Sequence, residues 1–277
     1  MKFLSYRAGG VARFGLAGAD GAIDLTARTG AGSLKALIAL GGLKNAARWA
    51  DAPADHAWAA VEFLPVIPDP GKIFCIGVNY EEHRTETGRP KVSAPTVFTR
   101  FADTQIGHGA AIPKPAHSDH VDFEGELAVI IGEGGRDIPE ARALDHVAGF
   151  SCYNDVSIRD FQYLTSQFTP GKNFVGTGPF GPFLVTPDEV GPLGPQRITT
   201  RLNGETVQDS TLGHMIFPTP ELIAFISKWS PLAAGDVIVT GTPGGVGARR
   251  TPPLWMKPGD EIVVEIERVG RLCNTVA

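Results

Sequence analysis

Three acids on one short stretch, Asp122, Glu124 and Glu126, are the first residues whose type and spacing suggest chemistry. The string VDFEGELAVIIG (121–132) predicts one long strand, in which alternate side chains share a side. All three carboxylates then face the same way and repel one another. The strand continues into Leu127-Ala128-Val129-Ile130-Ile131, so its end is expected to be buried, where an unpartnered carboxylate is costly. A hard divalent cation is a suitable partner, because carboxylate oxygens are its preferred ligands. A solvated sheet edge with Lys or Arg neighbours accounts for the row equally well. Asp155 closes a second apolar run, GFSCYND, at a strand end where site residues are often displayed; a turn or helix-cap role is open to it too.

In NYEEHRTETG (79–88), a short helix would put His83 and Glu86 three residues apart on one face. A carboxylate beside a histidine orients the ring and stabilises the imidazolium, the arrangement of a general base. A charged, solvated helix is the competing account, and Glu81, Glu82 and Arg84 are assigned to it. Lys172, in GKNF, follows a Pro-Gly turn but lacks the glycine spacing of a phosphate-binding loop. GTPGGVG (241–247) is capable of offering backbone N–H groups to an oxyanion, although a plain turn explains it as well. No GxSxG string signals a serine nucleophile. His56, His108, His117, His120 and His146 show no metal-ligand spacing.

These residues require elements to hold them. Residues 1–68 are predicted to form a small N-terminal unit: MKFLSYR, GVARFGLAG and GAIDLT read as short strands, Ser33 as the cap of a helix bearing Leu34, Leu37 and Ile38, and residues 43–60 as a second helical stretch. The Pro- and Gly-rich VIPDPGK (66–72) marks the boundary with residues 69–277. There, KIFCIGVN, PTVFTRF and HVAGFSCYNDVS read as strands, with Thr96, Phe98 and Arg100 on one side of the second. RITTRLNGETVQDS is a hairpin turning at Asn203-Gly204, and DEIVVEIERVGRLCNTV is another. Thr219-Pro220 is expected to open a helix with Thr219 as N-cap. DVIVTGTPGGVG runs from a strand into the Gly-rich loop. Short strands outnumber helices, so the class is β-rich mixed α+β and not a doubly wound sheet.

Bulk composition sets outer limits. The 277 residues are 43% hydrophobic and 20% charged, ordinary for a globular chain. The net charge of −5 and the lack of a basic run argue against a nucleic-acid surface. The 34 glycines and 22 prolines are dispersed, as in many turns between short strands. Cys75, Cys152 and Cys273 are far apart and odd in number, which suits free thiols in a reducing compartment. No stretch reaches the ~18 apolar residues of a membrane span, and the N-terminus lacks a secretory apolar core. A cytoplasmic chain is expected.

In order, the strings NYEEHRTE, DFEGELAVIIG, YNDVSIRDFQ, GKNF, LNGE, IFPTPELIAFIS, VIVTGTPGGVG and KPGDEIVVEIE resemble the fumarylacetoacetate hydrolase family, in its bacterial branch of acylpyruvate hydrolases, 2-oxo-acid decarboxylases, hydratases and isomerases. The resemblance covers about residues 70–277; the first 65 match only loosely. It implies a β-roll of several sheets with a small N-terminal α/β domain, usually dimeric. It assigns Glu124, Glu126 and Asp155 as ligands of Mg²⁺ or Mn²⁺, demotes Asp122 to a neighbour, and makes His83 and Glu86 a water-activating dyad. Gln162, Lys172 and Thr242 fall to substrate binding, with Lys172 also catalytic. The implied reaction is metal-dependent hydrolysis of a C–C bond in an acylpyruvate such as fumarylpyruvate, releasing pyruvate. Oxaloacetate decarboxylation, and hydration or isomerisation of an unsaturated 2-oxo acid in aromatic-compound degradation, are the alternatives. The implied partners are a small 2-oxo acid and a second copy of the chain, with residues 80–90 as a lid. One departure stands at STLGHMIF, where His214 replaces the expected polar Asp or Gln. Arg249, Arg250 and Trp255 are left between substrate binding and an interface.

Overall fold

The strand Gly125–Ile131 is buried along its whole length, and its alternation divides the core in two. Leu127, Val129 and Ile131 join one apolar cluster, with Leu222, Ile223 and Ile226 of the helix Thr219–Trp229 and with Val264, Ile266 and Leu272. Ala128 and Ile130 join the other, with Phe3, Phe14, Leu16 and Ile38 from the N-terminal segment. A strand covered on both faces reads as a continuous apolar run. Each fully buried Leu, Ile or Val contributes roughly 1.5–3 kcal/mol, so this strand anchors the fold.

The computed structural model describes residues 1–277. Its architecture is mixed α+β, with no closed barrel. The main path of a 12-stranded mixed sheet runs His56–Ala57, Gly21–Asp24, Val11–Ala17, Lys2–Ala8, Gly178–Val185, Val147–Asn154, Gly125–Ile131, Val237–Val239, Ile73–Gly77, Thr96–Thr99. A five-stranded sheet carries both C-terminal hairpins, and Val121–Asp122 pairs with Ser157–Ile158 in a small ladder. Asn203 and Gly204 both have positive φ (52° and 83°), as a two-residue hairpin turn requires. The first 68 residues carry their own ladder and continue the main sheet where Lys2 and Phe3 pair with Val185 and Leu184. No helix is long and apolar enough to cross a membrane.

Topology explains where the chemistry gathers. Val237–Val239 runs parallel to Ile73–Gly77 and antiparallel to Gly125–Ile131, which is antiparallel to Val147–Asn154. The C-terminal ends of three strands and the N-terminal end of one therefore meet at one edge of the sheet. That edge carries residues 78–80, 124–126, 155 and 240–242.

Several elements differ from expectation. The single strand 121–132 is two pieces, interrupted at Phe123-Glu124. Residues 43–60 hold short 3-10 turns, Lys44–Trp49 and Trp58–Ala60, separated by the strand pair residues His56–Ala57, instead of one helix. Pro218, not Thr219, is the N-cap of the late helix, and the buried Thr219 hydroxyl has no partner. Ser33 caps its helix as expected, accepting from Ala36 N at 3.1 Å.

Candidate active site

The break at Phe123-Glu124 decides the fate of the acidic row. Glu124 N donates to the Asn154 side chain (3.0 Å), and its carbonyl accepts from Asp155 N (2.9 Å). These bonds tie the interruption to the end of the neighbouring strand and bring Glu124, Glu126 and Asp155 together. One ligand oxygen from each lies within 4.8 Å of the others, and all three residues are buried. Asp122 does other work. Its Oδ1 accepts from Phe123 N and Gly247 N (2.8 and 2.7 Å), and its Oδ2 from Ala248 N (2.9 Å) and Arg159 Nε (2.8 Å).

Three buried cations surround the cluster. Lys172 Nζ lies 2.7 Å from Glu124 Oε2 and 2.6 Å from Asp155 Oδ2. Arg159 Nη2 approaches Glu124 Oε1 to 2.7 Å, close enough for an ion pair but without hydrogen-bond alignment. Arg100 Nη1 reaches Asp155 Oδ1 at 2.5 Å. Burial acts to raise the Glu124 carboxyl, but Lys172 and Arg159 overcome it and hold it down at about 2. Burial would depress Lys172, yet Asp155 and Glu124 outweigh it and keep the ammonium above its ordinary value. Glu126 has no salt bridge; its one partner is Gly241 N. Burial, together with the Asp155 and Glu124 charges, pushes Glu126 well above the carboxylate range.

This arrangement fits a hard divalent cation. Four carboxyl groups (counting Asp122) face three cations, and the one left without a cation, Glu126, sits beside the oxygens of Glu124 and Asp155. Glu124, Glu126 and Asp155 are the residues able to hold such an ion. The Lys and Arg neighbours of the competing account are present, but they are buried with the acids and do not form a solvated edge.

His83 lies on the short helix Glu81–Glu86, and its Nδ1 is 2.7 Å from Glu86 Oε1. A carboxylate there places the ring proton on Nδ1 and leaves the lone pair on Nε2. Glu86 Oε2 accepts from Gly245 N at 2.9 Å, so the dyad is pinned to the Gly-rich loop. Asn79 fixes the approach to the helix: its amide bonds Phe217 O (3.0 Å), Thr240 O (2.7 Å) and Phe217 N (2.8 Å). Val78 beside it has φ 59°, a strained conformation for a β-branched residue.

One cavity collects His83, Glu124, Arg159, Gln162, Lys172 and Thr242, with Phe98, Phe168, Tyr163, Arg89 and Arg249 also on its wall. Gln162 accepts from Arg159 Nη1 (2.8 Å). Thr242 donates to Gly125 O (3.0 Å) and accepts from Gln208 Nε2 (2.8 Å). Four amides of the loop are committed within the protein: Gly241, Gly245, Gly247 and Ala248 donate to Glu126, Glu86 and Asp122. Arg250 braces the same loop through Gly245 O and Val207 O. Trp255 stacks on His120, and His214 is exposed, bonding Ser210.

Sequence reasoning missed Arg100, Arg159 and Gln208 as site residues. Arg100 carried a signal, since strand alternation puts it on the side of Phe98, which faces the cavity. Arg159 stood in the string after Asp155 with nothing local to mark it. Gln208 lies on a hairpin more than 80 residues from Gly125 and had no signal.

Glu124 of the buried carboxylate cluster and His83 of the His–Glu pair line the same cavity. The chain belongs to the fumarylacetoacetate hydrolase family: the model of the fumarylacetoacetate (FAA) hydrolase C-terminal domain matches residues 72–277. Family members are enzymes. The chain is 43% identical over 223 residues to the mitochondrial oxaloacetate tautomerase FAHD2B of Homo sapiens, covering 79% of this chain and 70% of that one. Its fold matches a fumarylacetoacetate hydrolase from Exiguobacterium antarcticum at TM-score 0.87 and 36% identity, covering 100% of this chain and 99% of the other. It also matches a maleylpyruvate hydrolase from Sphingobium sp. SYK-6 at TM-score 0.84 and 26% identity, with the same coverage.

Proposed function

We propose that this chain catalyses proton transfer beside the carbonyl of a small 2-oxo acid, interconverting the enol and keto forms of an oxaloacetate-type substrate. The observation that carries the reading is His83, held through Nδ1 by Glu86, on the wall of the cavity that also contains Glu124 and Lys172. The 43% identity to an oxaloacetate tautomerase supports the choice of substrate. Glu124, Glu126 and Asp155 would hold Mg²⁺ or Mn²⁺, which when bound supplies Lewis-acid polarisation of a 2-oxo carboxylate. His83 Nε2 takes a proton from the carbon next to the 2-oxo group and returns it in the reverse direction, while the oxygen exchanges its proton with water. Glu86 stabilises the imidazolium in between. Lys172 and Arg159 offset negative charge developing on the substrate oxygens. Gln162 and Thr242 orient the bound acid, and residues 80–90 close over it.

Hydrolysis of a C–C bond in an acylpyruvate is the second reading. It uses the same dyad on a water molecule, and the likeness to a maleylpyruvate hydrolase favours it. A panel of oxaloacetate, fumarylpyruvate and unsaturated 2-oxo acids, run with Mg²⁺ and Mn²⁺, separates the reactions. The expected result is accelerated decay of enol absorbance with no pyruvate or CO₂ formed. Pyruvate release from fumarylpyruvate would replace the first reading with the second, and CO₂ from oxaloacetate would point to decarboxylation.

A homodimer is part of the proposal. Phe101, Leu164 and Val175 are 55%, 68% and 66% exposed, on segments joined by the Phe101–Asn173 hydrogen bond and the Phe161–Phe174 ring contact. Apolar surface of this kind is a candidate subunit contact. Sedimentation should give twice the chain mass, and Leu164→Glu should reduce it to one.

A further inference from the structure

Arg100 stands just after the strand Thr96–Thr99, and its guanidinium is wholly buried behind the carboxylate cluster. Nη1 donates to Asp155 Oδ1 (2.5 Å) and to Val156 O (3.2 Å). Nη2 donates to Thr177 Oγ1 (2.7 Å), and Nε to Thr104 Oγ1 (3.3 Å). Those acceptors are themselves held: Thr177 donates to Phe174 O (2.6 Å) and Thr104 to Phe101 O (2.7 Å). The planar fork is thus locked on three of its nitrogens by four acceptors in fixed positions.

This has a consequence for Asp155. Its Oδ1 is committed to Arg100, and its Oδ2 is the oxygen that meets Lys172 beside Glu124. A carboxylate on a strand end can otherwise rotate about its side-chain bonds and present either oxygen. We propose that Arg100 is the positioning residue of the centre: it holds Asp155 Oδ1, so that Oδ2 is the oxygen left to the Lys172–Glu124 side of the cluster. It also links the Asp155 strand to the segment after Lys172 through Thr177. Arg100 touches no substrate and acts only through Asp155. The inference rests on the metal reading of the carboxylate cluster.

An ammonium at this position keeps the charge but lacks the fork, and cannot reach the Asp155, Val156, Thr177 and Thr104 acceptors together. Partners that orient a metal ligand change affinity by about 10–100-fold when lost. The test is calorimetric titration of the full chain with Mn²⁺, comparing wild type, Arg100→Lys and Thr177→Val, beside thermal unfolding without metal. The expected result is Mn²⁺ affinity about tenfold weaker or more in Arg100→Lys and several-fold weaker in Thr177→Val. Activity of both should recover toward wild type as Mn²⁺ is raised to saturation. Affinity within about twofold of wild type, with only a lowered unfolding temperature, would overturn the proposal and leave Arg100 a packing residue. Should Arg100→Lys fail to fold, Thr177→Val decides by the same criterion. A wild-type chain that binds neither Mn²⁺ nor Mg²⁺ would sink the metal reading and this inference with it.

Discussion

Replacing Glu126 by Gln is expected to abolish metal binding and turnover while making the metal-free chain more stable, whereas Glu124→Gln should lose function and stability together. The two acids are two residues apart and both buried, but their surroundings have opposite signs. Glu124 is matched by Lys172 and Arg159. Neutralising it takes one carboxylate from each of two buried cations, which keep only Asp155 and Asp122 respectively, and breaking a buried pair costs up to about 3–5 kcal/mol. Glu126 has a single amide partner and is pushed well above the carboxylate range by burial and by its neighbours' charges. An amide there is neutral at every pH and removes the cost of keeping a buried glutamic acid protonated near neutral pH.

The pH signs follow from the same shifts. A raised folded-state value means that the folded chain binds more protons than the unfolded one, so the Glu126 contribution falls as pH rises above the ordinary glutamate range. The Glu124 contribution is present above that range and is lost as pH falls toward about 2. A metal must displace the Glu126 proton, so affinity should rise by up to about tenfold per pH unit, with close to one proton released. Calorimetry in buffers of different ionisation enthalpy measures that release. A Glu126→Gln chain that is less stable than wild type, or metal binding indifferent to pH, would contradict this account.

His83→Ala should lower kcat by about 10²–10⁴-fold, the usual contribution of a general acid–base group. Metal affinity should stay within about twofold, because His83 is not among the three clustered carboxylates proposed to hold the ion. Glu86→Gln should give a smaller loss in kcat, since the amide can still accept from Nδ1 but stabilises the imidazolium less. It should also loosen the Gly-rich loop, because Glu86 holds Gly245 N. Steady-state kinetics at saturating Mn²⁺, with parallel metal titrations, separate these effects. Full turnover in the His83 variant would remove the dyad from the mechanism, whichever 2-oxo acid is used.

Local pattern made much of this protein legible. The i, i+3 spacing of His83 and Glu86 survives into a 2.7 Å contact because a helix of one to two turns suffices to define it. The Asn203-Gly204 turn and the Ser33 cap were readable for the same reason: each depends on only a few neighbouring residues. The apolar run after Glu126 correctly implied burial, and burial implied a need for positive charge. Alternation failed at Asp122, because it holds only while the strand continues, and the strand stops at Phe123-Glu124 to pair with two different partners.

The sequence by itself therefore determined the acid types and the i, i+3 spacing of His83 and Glu86, and left burial of the acids as one of two readings. The resemblance over residues 70–277 singled out Glu124, Glu126 and Asp155 as candidate ligands. Tertiary structure alone decided how the charge is shared. Arg100, Arg159 and Lys172 come to the acids from separate parts of the chain, as do the amides of residues 241–248. Which acid each one meets depends on the order of strands in a sheet, and no local spacing encodes that order. The physical outcome is that Asp122 is saturated by loop amides and Arg159, Glu124 is paired twice, and Glu126 is left as the carboxylate with no cation of its own.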